Sequence, residues 1–213
     1  MSYILKEDDY LAHYGVKGMK WGVRRYQNPD GTLTELGKQR KKSVFISGSS
    51  KTQFNDNPYY RKKLPKQITD QIDQYVKDKK KIIIGDAPGI DRQVQDYLNK
   101  IGYKDVEVYG PGKNIRYFAN MDWKQNPIDA PEFEEGSQEW LRKKDIAMTK
   151  AADEGLAIIL DNGAQATRNN ITRLLDQNKN VKVYELNNLD QGFDRWLDND
   201  EVENLFKTKI KNL

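Results

Sequence analysis

The sequence predicts an α/β protein with a Rossmann-like parallel sheet flanked by helices, an N-terminal extension and C-terminal helices. Strand-like and helix-like segments alternate from Ser43 onward, which favours a parallel sheet covered on both faces. The continuous apolar runs "IIIG" and "LAIIL" are typical of strands buried on both sides. We expect an extension over residues 1–42, the Rossmann-like domain over residues 43–186 and a helical segment over residues 187–213.

Each element follows from a local pattern. "SVFISGSS" predicts a buried strand that ends in a loop of small residues, and "LPKQITDQIDQYVKD" has helical spacing of its apolar residues. "KKIIIGDAPGIDRQVQDYLNKIG" repeats strand, turn and helix, and "KDVEVYG" predicts a third strand. The polar stretch from Pro111 to Gly136 predicts a long functional loop. The remaining segments predict helix, strand, helix, strand and one or two closing helices: "SQEWLRKKDIAMTKAA", "EGLAIILDN", "ATRNNITRLLDQNK", "NVKVYEL" and "FDRWLDNDEVENLFKTKIK".

Composition excludes several classes of function. The chain of 213 residues has no cysteine and one histidine, which excludes disulfides and zinc ribbons and disfavours a Ser-His-Asp triad. No apolar run is long enough to span a membrane, and the N-terminus does not resemble a secretory signal, so we expect a protein of the cytoplasm with no membrane partner. Residues 1–42 hold nine Lys or Arg against five Asp or Glu, and this accounts for the whole net charge of +4. The neutral remainder disfavours a broad nucleic-acid-binding face.

Three segments rich in small residues follow predicted strands and precede predicted helices. Because ligands of open parallel sheets bind beyond the carboxyl ends of the strands, these segments predict a phosphate-binding site. Neither G-x-G-x-x-G nor a Walker lysine pattern is present, which disfavours a standard dehydrogenase or P-loop enzyme. The predicted ligand-binding residues in these segments are Gly48, Ser49, Ser50, Gly85, Asp86, Gly89, Asp91, Asn162, Gly163, Thr167 and Arg168.

The motifs "GDAPGIDRQVQDYL", "DW", "RKKDIAM", "AADEGLAIILDN" and "GAQATRNNI" resemble the SLOG superfamily, in its branch related to YspA and YpsA. That superfamily includes the LOG phosphoribohydrolases and DprA. The resemblance covers roughly residues 43–186. It implies a Rossmann-like domain that binds a nucleotide or an NAD-derived ligand, and it adds Trp123 and Arg142 to the expected ligand-binding residues.

Turnover is a separate question from binding. The hydrolytic LOG members carry a glutamate after their glycine-rich turn, whereas this chain has Asn169 and Asn170 there. Asp91, Asp122 and Asp145 are the candidate catalytic carboxylates for cleavage of an N-glycosidic bond. The alternative roles are structural, since Asp91 suits the first turn of a helix and Asp145 suits a surface pair with Arg142.

The segment "YLAHYGVKGMKWGVRRYQNPDGTLTELGKQR" resembles a short segment at the start of diverse phage and prophage proteins. The resemblance implies a phage protein in the host cytoplasm, with association with the virion through residues 10–40 and a head or packaging partner. A silent arm is the alternative. For the domain we expect capture of a nucleotide-like molecule, with sequestration of a host defence signal as its purpose, and a homo-oligomer. A nucleotide N-glycosidase and a DprA-like binder of single-stranded DNA are the alternatives.

Overall fold

A computed structural model describes residues 41–49, 64–160, 165–186 and 194–207. The chain divides into two units, Met1–Lys41 and Lys42–Leu213, and all the elements given below belong to the second. The N-terminal segment over residues 10–40 and three predicted ligand-binding residues (Ser50, Asn162 and Gly163) lie outside the described residues.

Strands and helices alternate through most of the domain. The strands are β1 (Ser43–Gly48), β2 (Lys81–Gly85), β3 (Val106–Pro111), β4 (Lys124–Ile128), β5 (Glu154–Leu160), β6 (Val181–Leu186) and β7 (Arg195–Trp196). The helices are α1 (Lys66–Lys77), α2 (Ile90–Lys100), α3 (Gln138–Ala151), α4 (Gln165–Asp176) and α5 (Asn199–Phe206). None of these helices is both long and apolar enough to cross a bilayer.

The strands form one seven-stranded sheet in the order β4-β3-β2-β1-β5-β6-β7. All neighbouring pairs are parallel except β6 and β7, which are antiparallel. The chain starts at β1, adds strands on one side as far as β4, and then returns to the other side of β1 with β5. This sheet confirms the predicted Rossmann-like α/β class.

Two hydrophobic clusters separate the sheet from its helices. The face covered by α1 and α2, called the α2 face below, buries a cluster that includes Ile46, Ile84 and Leu98. The face covered by α3, α4 and α5, called the α3 face, buries a cluster that includes Met148 and Ile171. The apolar runs of β1, β2 and β5 supply both clusters, because alternate residues of a strand point to opposite faces.

Two segments differ from the sequence prediction. The stretch from Pro111 to Gly136, predicted as one irregular loop, contains strand β4, whose sequence "KQNPI" is polar because β4 is an edge strand. Arg195 and Trp196, predicted within the closing helices, pair with Glu185 and Tyr184 of β6 as strand β7. The rings of Trp196 and Tyr184 make an edge-to-face contact, with their centroids 4.8 Å apart.

Candidate functional site at the carboxyl edge of the sheet

The parallel strands all end at one edge of the sheet, which we call the carboxyl edge. The order of the strands reverses between β1 and β5, so the crevice expected for a ligand lies beyond the ends of these two strands. Helices α2, α3 and α4 each begin after a segment that leaves this edge. The N-terminal parts of three helices therefore surround the same part of the domain.

Small residues occupy one row of the α3 face beside this edge. Ser47 of β1 lies opposite Ala157 of β5 in register, and Gly85 is next in register on β2. Since these side chains are small or absent, the row leaves room above the sheet for polar side chains from the helices. The sequence places small residues at three adjacent strands where Val, Ile or Leu would otherwise close the gap.

A carboxylate and an ammonium meet above Gly85. A β-carbon at this position would overlap the Asp91 carboxylate and lie 3.0 Å from Nζ of Lys144. Asp91 is in the first turn of α2 and is 7% exposed, and Lys144 is in the middle of α3 and is 6% exposed. Gly85 is required here because its missing side chain provides the space in which the two charged groups approach.

Asp91 is a buried carboxylate with little compensation. Its Oδ2 accepts one hydrogen bond from the backbone N–H of Ala87 at 3.3 Å. Burial raises the pKa of Asp91 to about 6, and the positive charge of Lys144 and the Ala87 hydrogen bond oppose that rise. Two further carboxylates, Asp145 and Asp86, add to it. Asp91 therefore changes its protonation state close to neutral pH.

A second group of polar side chains continues the site along β1 and α4. Asn170 is 3% exposed, donates a hydrogen bond to Oγ of Ser47 at 3.1 Å and accepts one from Nη1 of Arg173 at 2.6 Å. Arg173 faces α3, where burial lowers its pKa, Asp145 raises it and the like charge of Arg142 lowers it. Arg142 of α3 and Arg173 of α4 are thus close enough for their like charges to interact.

Asp86 serves a structural role in addition to its predicted place in the site. Its side chain is fully buried, and Oδ2 accepts hydrogen bonds from the backbone N–H of Arg116 at 2.9 Å and from Nε at 3.0 Å. Its Oδ1 accepts from Nη2 of the same arginine. The carboxylate therefore holds the connection from β3 to β4 against the loop after β2.

Two predicted residues lie at the opposite edge of the sheet. Trp123 immediately precedes β4, is 3% exposed and donates from Nε1 to the carbonyl of Tyr103 at 2.9 Å. Asp122 is exposed and pairs with Lys104 at 3.2 Å. Because parallel strands begin at the edge opposite to that where they end, neither residue is near the loops of the carboxyl edge. The indole packs in the core, away from the carboxyl edge, although the SLOG resemblance implied a ligand-binding role for this residue.

The other described candidates are held mainly by contacts within the fold. A β-carbon at Gly48 would lie 2.7 Å from Cγ1 of Ile90, so this glycine lets α2 pack against β1. Gly89 has a φ of 109° at the start of α2, a conformation that favours glycine. Ser49 is buried and donates its backbone N–H to Ile158 of β5 at 3.3 Å.

Helix α4 separates two candidates that the sequence placed together. Thr167 is buried in the first turn, on the side that faces the sheet. Arg168 points instead towards α5, where its guanidinium carbon lies 5.3 Å from the ring centre of Phe206. Arg173, one and a half turns later, is the arginine of this helix that contacts the polar group at β1. Of these two arginines, Arg173 therefore lies towards the carboxyl edge at β1, and Arg168 lies towards α5.

Three residues of the site, and Arg116 next to it, were not predicted as such. Lys144 is one of two adjacent lysines in a helix, a pattern that usually indicates a solvent-exposed face. Asn170 and Arg173 share a face of α4 at i, i+3 spacing, and this signal was available in "NNITR". Arg116 lies in the irregular connection, where no period indicates which side chains point inward.

The described residues include no group of three His, Asp or Glu side chains placed to hold a metal ion. In the acidic stretch from Asp129 to Gly136, Glu132 pairs with Lys143 of α3 at 2.8 Å. This contact is between two side chains that are about half exposed.

Comparison with known proteins gives one short match. The model described as "Family of unknown function (DUF7211)" matches residues 5–28. No curated protein and no solved structure matches the chain. The match covers part of the N-terminal extension and no residue of the sheet.

Proposed function

We propose that the Rossmann-like domain binds a nucleotide or a nucleotide-derived ligand, with a phosphate held by Lys144, Arg142 and Arg173 at the carboxyl edge. This proposal includes the sequence-based expectation of an NAD-derived ligand. The SLOG resemblance supports the ligand class, and the charges of the site support the phosphate.

The observation that carries the proposal is the buried ammonium of Lys144. Its ion pair with Asp145 measures 3.3 Å and is the one that it forms within the described part of the chain. A lysine ammonium can donate three hydrogen bonds, and removal from water makes unused donors costly. A phosphate oxygen above Gly85 would use these donors and compensate the charge.

The proximity of Arg142 and Arg173 points to the same chemistry. Burial lowers the pKa of Arg173, the like charge of Arg142 lowers it further, and the Asp145 carboxylate opposes both effects. Arginine presents planar donors that match phosphate oxygens. Two arginines and a lysine against two nearby carboxylates, Asp145 and Asp91, leave an excess of positive charge for an anionic ligand.

An enzyme that cleaves an N-glycosidic bond is the second candidate. It is favoured by Asp91, whose pKa of about 6 suits a general acid or base near neutral pH. Asp145, with 8% exposure beside Lys144, supplies a second carboxylate. Asp122 has no part in this scheme because it lies at the other edge of the sheet.

The N-terminal extension gives the proposal its biological setting. We propose that residues 10–40 direct a phage protein to a head or packaging partner, and that the domain sequesters a host defence signal. The resemblance of this segment to those of phage proteins supports this setting, and the family match over residues 5–28 falls on the same part of the chain.

Capture and turnover are distinguished by incubating the full chain with adenosine 5′-monophosphate, guanosine 5′-monophosphate and NAD⁺, removing free ligand and then denaturing the protein by heat. Capture predicts that an intact nucleotide is released on denaturation. A free base or ribose phosphate would identify the enzyme instead. No retained or altered nucleotide from this panel would contradict the proposal, and salt-sensitive binding to an oligonucleotide would favour a DNA-binding function.

A further inference from the structure

A second fixed cation lies at the carboxyl edge, on the other face of the sheet. Gly110 of β3 has no side chain to fill the space in which Asp86 sits, and a β-carbon there would overlap the Asp86 carboxylate and lie 2.9 Å from Cδ1 of Ile115. Ile115 packs against the cluster of the α2 face. Asp86 and its partner Arg116 therefore belong to the α2 face, whereas Lys144 belongs to the α3 face.

Arg116 retains donors for a ligand. Its Nε and Nη2 bind the two oxygens of the fully buried Asp86 carboxylate. A guanidinium has five N–H donors, so three remain after this pair. The side chain is 44% exposed, which leaves the outer side of the guanidinium accessible from the edge. A buried carboxylate holds the group in one orientation without covering it.

Arg92 adds a second oriented guanidinium on the same face. Its Cζ lies 4.1 Å from the ring centre of Tyr117, the residue after Arg116. The Tyr117 hydroxyl donates in turn to Asp96, one turn further along α2. Because the hydrogen bond to Asp96 holds the Tyr117 ring in place, stacking on this ring limits the motion of the Arg92 side chain and leaves its N–H donors in solvent.

Gln95 fixes the connection that carries these groups. It is completely buried, donates to the carbonyl of Gly85 at 2.8 Å and accepts from the backbone N–H of Ala119 at 3.0 Å. The same side chain thus ties the end of β2 to the segment after Tyr117. Gln95 therefore fixes the segment that carries Arg116 to the strand end beside which Lys144 lies.

We infer that the ligand carries two phosphoryl groups at separate positions of one nucleoside, one bound by Lys144 and Arg173 on the α3 face and the other by Arg116 and Arg92 on the α2 face. Lys144 lies beside Gly85 and Arg116 is bound to Asp86, the next residue along the chain, so the two groups lie on opposite faces of the sheet beside the same strand end. This inference rests on the proposed function and specifies its ligand class.

The test compares adenosine 3′,5′-bisphosphate with adenosine 5′-monophosphate by calorimetric titration of the full chain. We expect the bisphosphate to bind at least about tenfold more tightly, because only it reaches both groups. Arg116→Gln and Arg92→Gln should each reduce this preference and leave the affinity for the monophosphate unchanged. Lys113→Gln removes an exposed lysine of the same connection and is the matched control.

Each outcome separates the two proposals. Equal affinities for the two nucleotides in the wild-type chain would overturn the inference and leave the proposed function standing. Loss of monophosphate binding in a folded Arg116→Gln variant would also overturn the inference, because Arg116 and Lys144 would then bind the same phosphate. Binding of neither nucleotide would contradict the proposed function itself.

Arg116→Gln leaves Asp86 buried without its cation, so this variant is checked by thermal unfolding. Arg92 is exposed and its replacement leaves that pair intact. If Arg116→Gln does not fold, the Arg92→Gln variant alone tests the inference. A reduced preference of this variant for the bisphosphate supports the inference, and an unchanged preference overturns it.

Discussion

At the scale of single residues, the site holds charged groups where the fold alone would favour apolar ones. Asp91, Lys144 and Asp145 are each less than 9% exposed. The free energy lost when these charges leave water exceeds the free energy gained from their loose ion pairs. Buried charges with incomplete partners occur most often where a ligand or a reaction uses them. Arg116, by contrast, is paired within the fold with the Asp86 carboxylate, so only the N–H groups on the outer side of its guanidinium are available to a ligand.

The protonation of Asp91 gives a prediction about stability. Its folded pKa of about 6 exceeds the usual 3.8, so folding takes up a proton between these values and becomes less favourable as pH rises through about 6. This group alone should lower the free energy of unfolding by about 2 kcal/mol between about pH 4 and pH 7. Urea unfolding of Asp91→Asn should therefore show a smaller decrease over that range than the wild-type chain.

Asp122→Asn is the control for that measurement, because it makes the same chemical change at an exposed carboxylate on the opposite edge of the sheet. An Asp91→Asn variant with the same pH dependence as the wild-type chain would mean that the carboxylate is ionised throughout.

Two arginines on one helix give a prediction about binding. Arg173→Gln should weaken binding of adenosine 5′-monophosphate by about 10-fold to 100-fold, since a charge-assisted hydrogen bond contributes about 1.5–3 kcal/mol. Arg168→Gln should change it little, because this arginine stacks on Phe206. Calorimetric titration of both variants measures the difference. The reverse order of effects would restore Arg168 as the phosphate ligand.

At the scale of elements, the alternation of strands and helices was sufficient to predict the fold. The apolar composition of buried runs such as "LAIIL" is enough to predict strands. The edge strands β4 and β7 lack such a run, because one side of an edge strand is in solvent and can be polar. The loops after β2 were correctly placed at the carboxyl edge. Lys144 and Arg116 were missed because their inward direction depends on how α3 and the β3–β4 connection pack, which local sequence does not encode.

The meeting of β2, α2 and α3 above Gly85 gives a prediction for a double-mutant cycle. Gly85→Ala should destabilise the domain by about 1–3 kcal/mol, because the new methyl group overlaps the Asp91 carboxylate. In the Asp91→Ala background the same change should cost less, since only the flexible end of Lys144 then has to move. Chemical unfolding of the four proteins measures the coupling. Additive effects would show that the carboxylate does not lie over Gly85.

At the scale of the whole molecule, the excess charge and the candidate site are in different parts of the chain. The net charge of +4 resides in residues 1–42, whereas the site is built from β1, β2, α2, α3 and α4. The described core residues all lie between Val44 and Phe206. Recognition of a partner and binding of a ligand are therefore expected to be separable.

Deletion of residues 1–42 tests this separation. The shortened chain should retain its affinity for adenosine 5′-monophosphate, measured by calorimetry, and lose association with phage particles, measured by co-sedimentation. Loss of nucleotide binding in a shortened chain that still unfolds cooperatively would show that the extension takes part in the site.

The central claim is that a buried lysine at the carboxyl edge binds the phosphate of a nucleotide. Calorimetric titration of adenosine 5′-monophosphate into the wild-type chain, Lys144→Gln and Lys150→Gln tests it most directly, because Lys150 is an exposed lysine in the last turn of the same helix. The account predicts at least about tenfold weaker binding in Lys144→Gln and wild-type affinity in Lys150→Gln. Equal affinity in all three proteins, each shown to be folded, would contradict it.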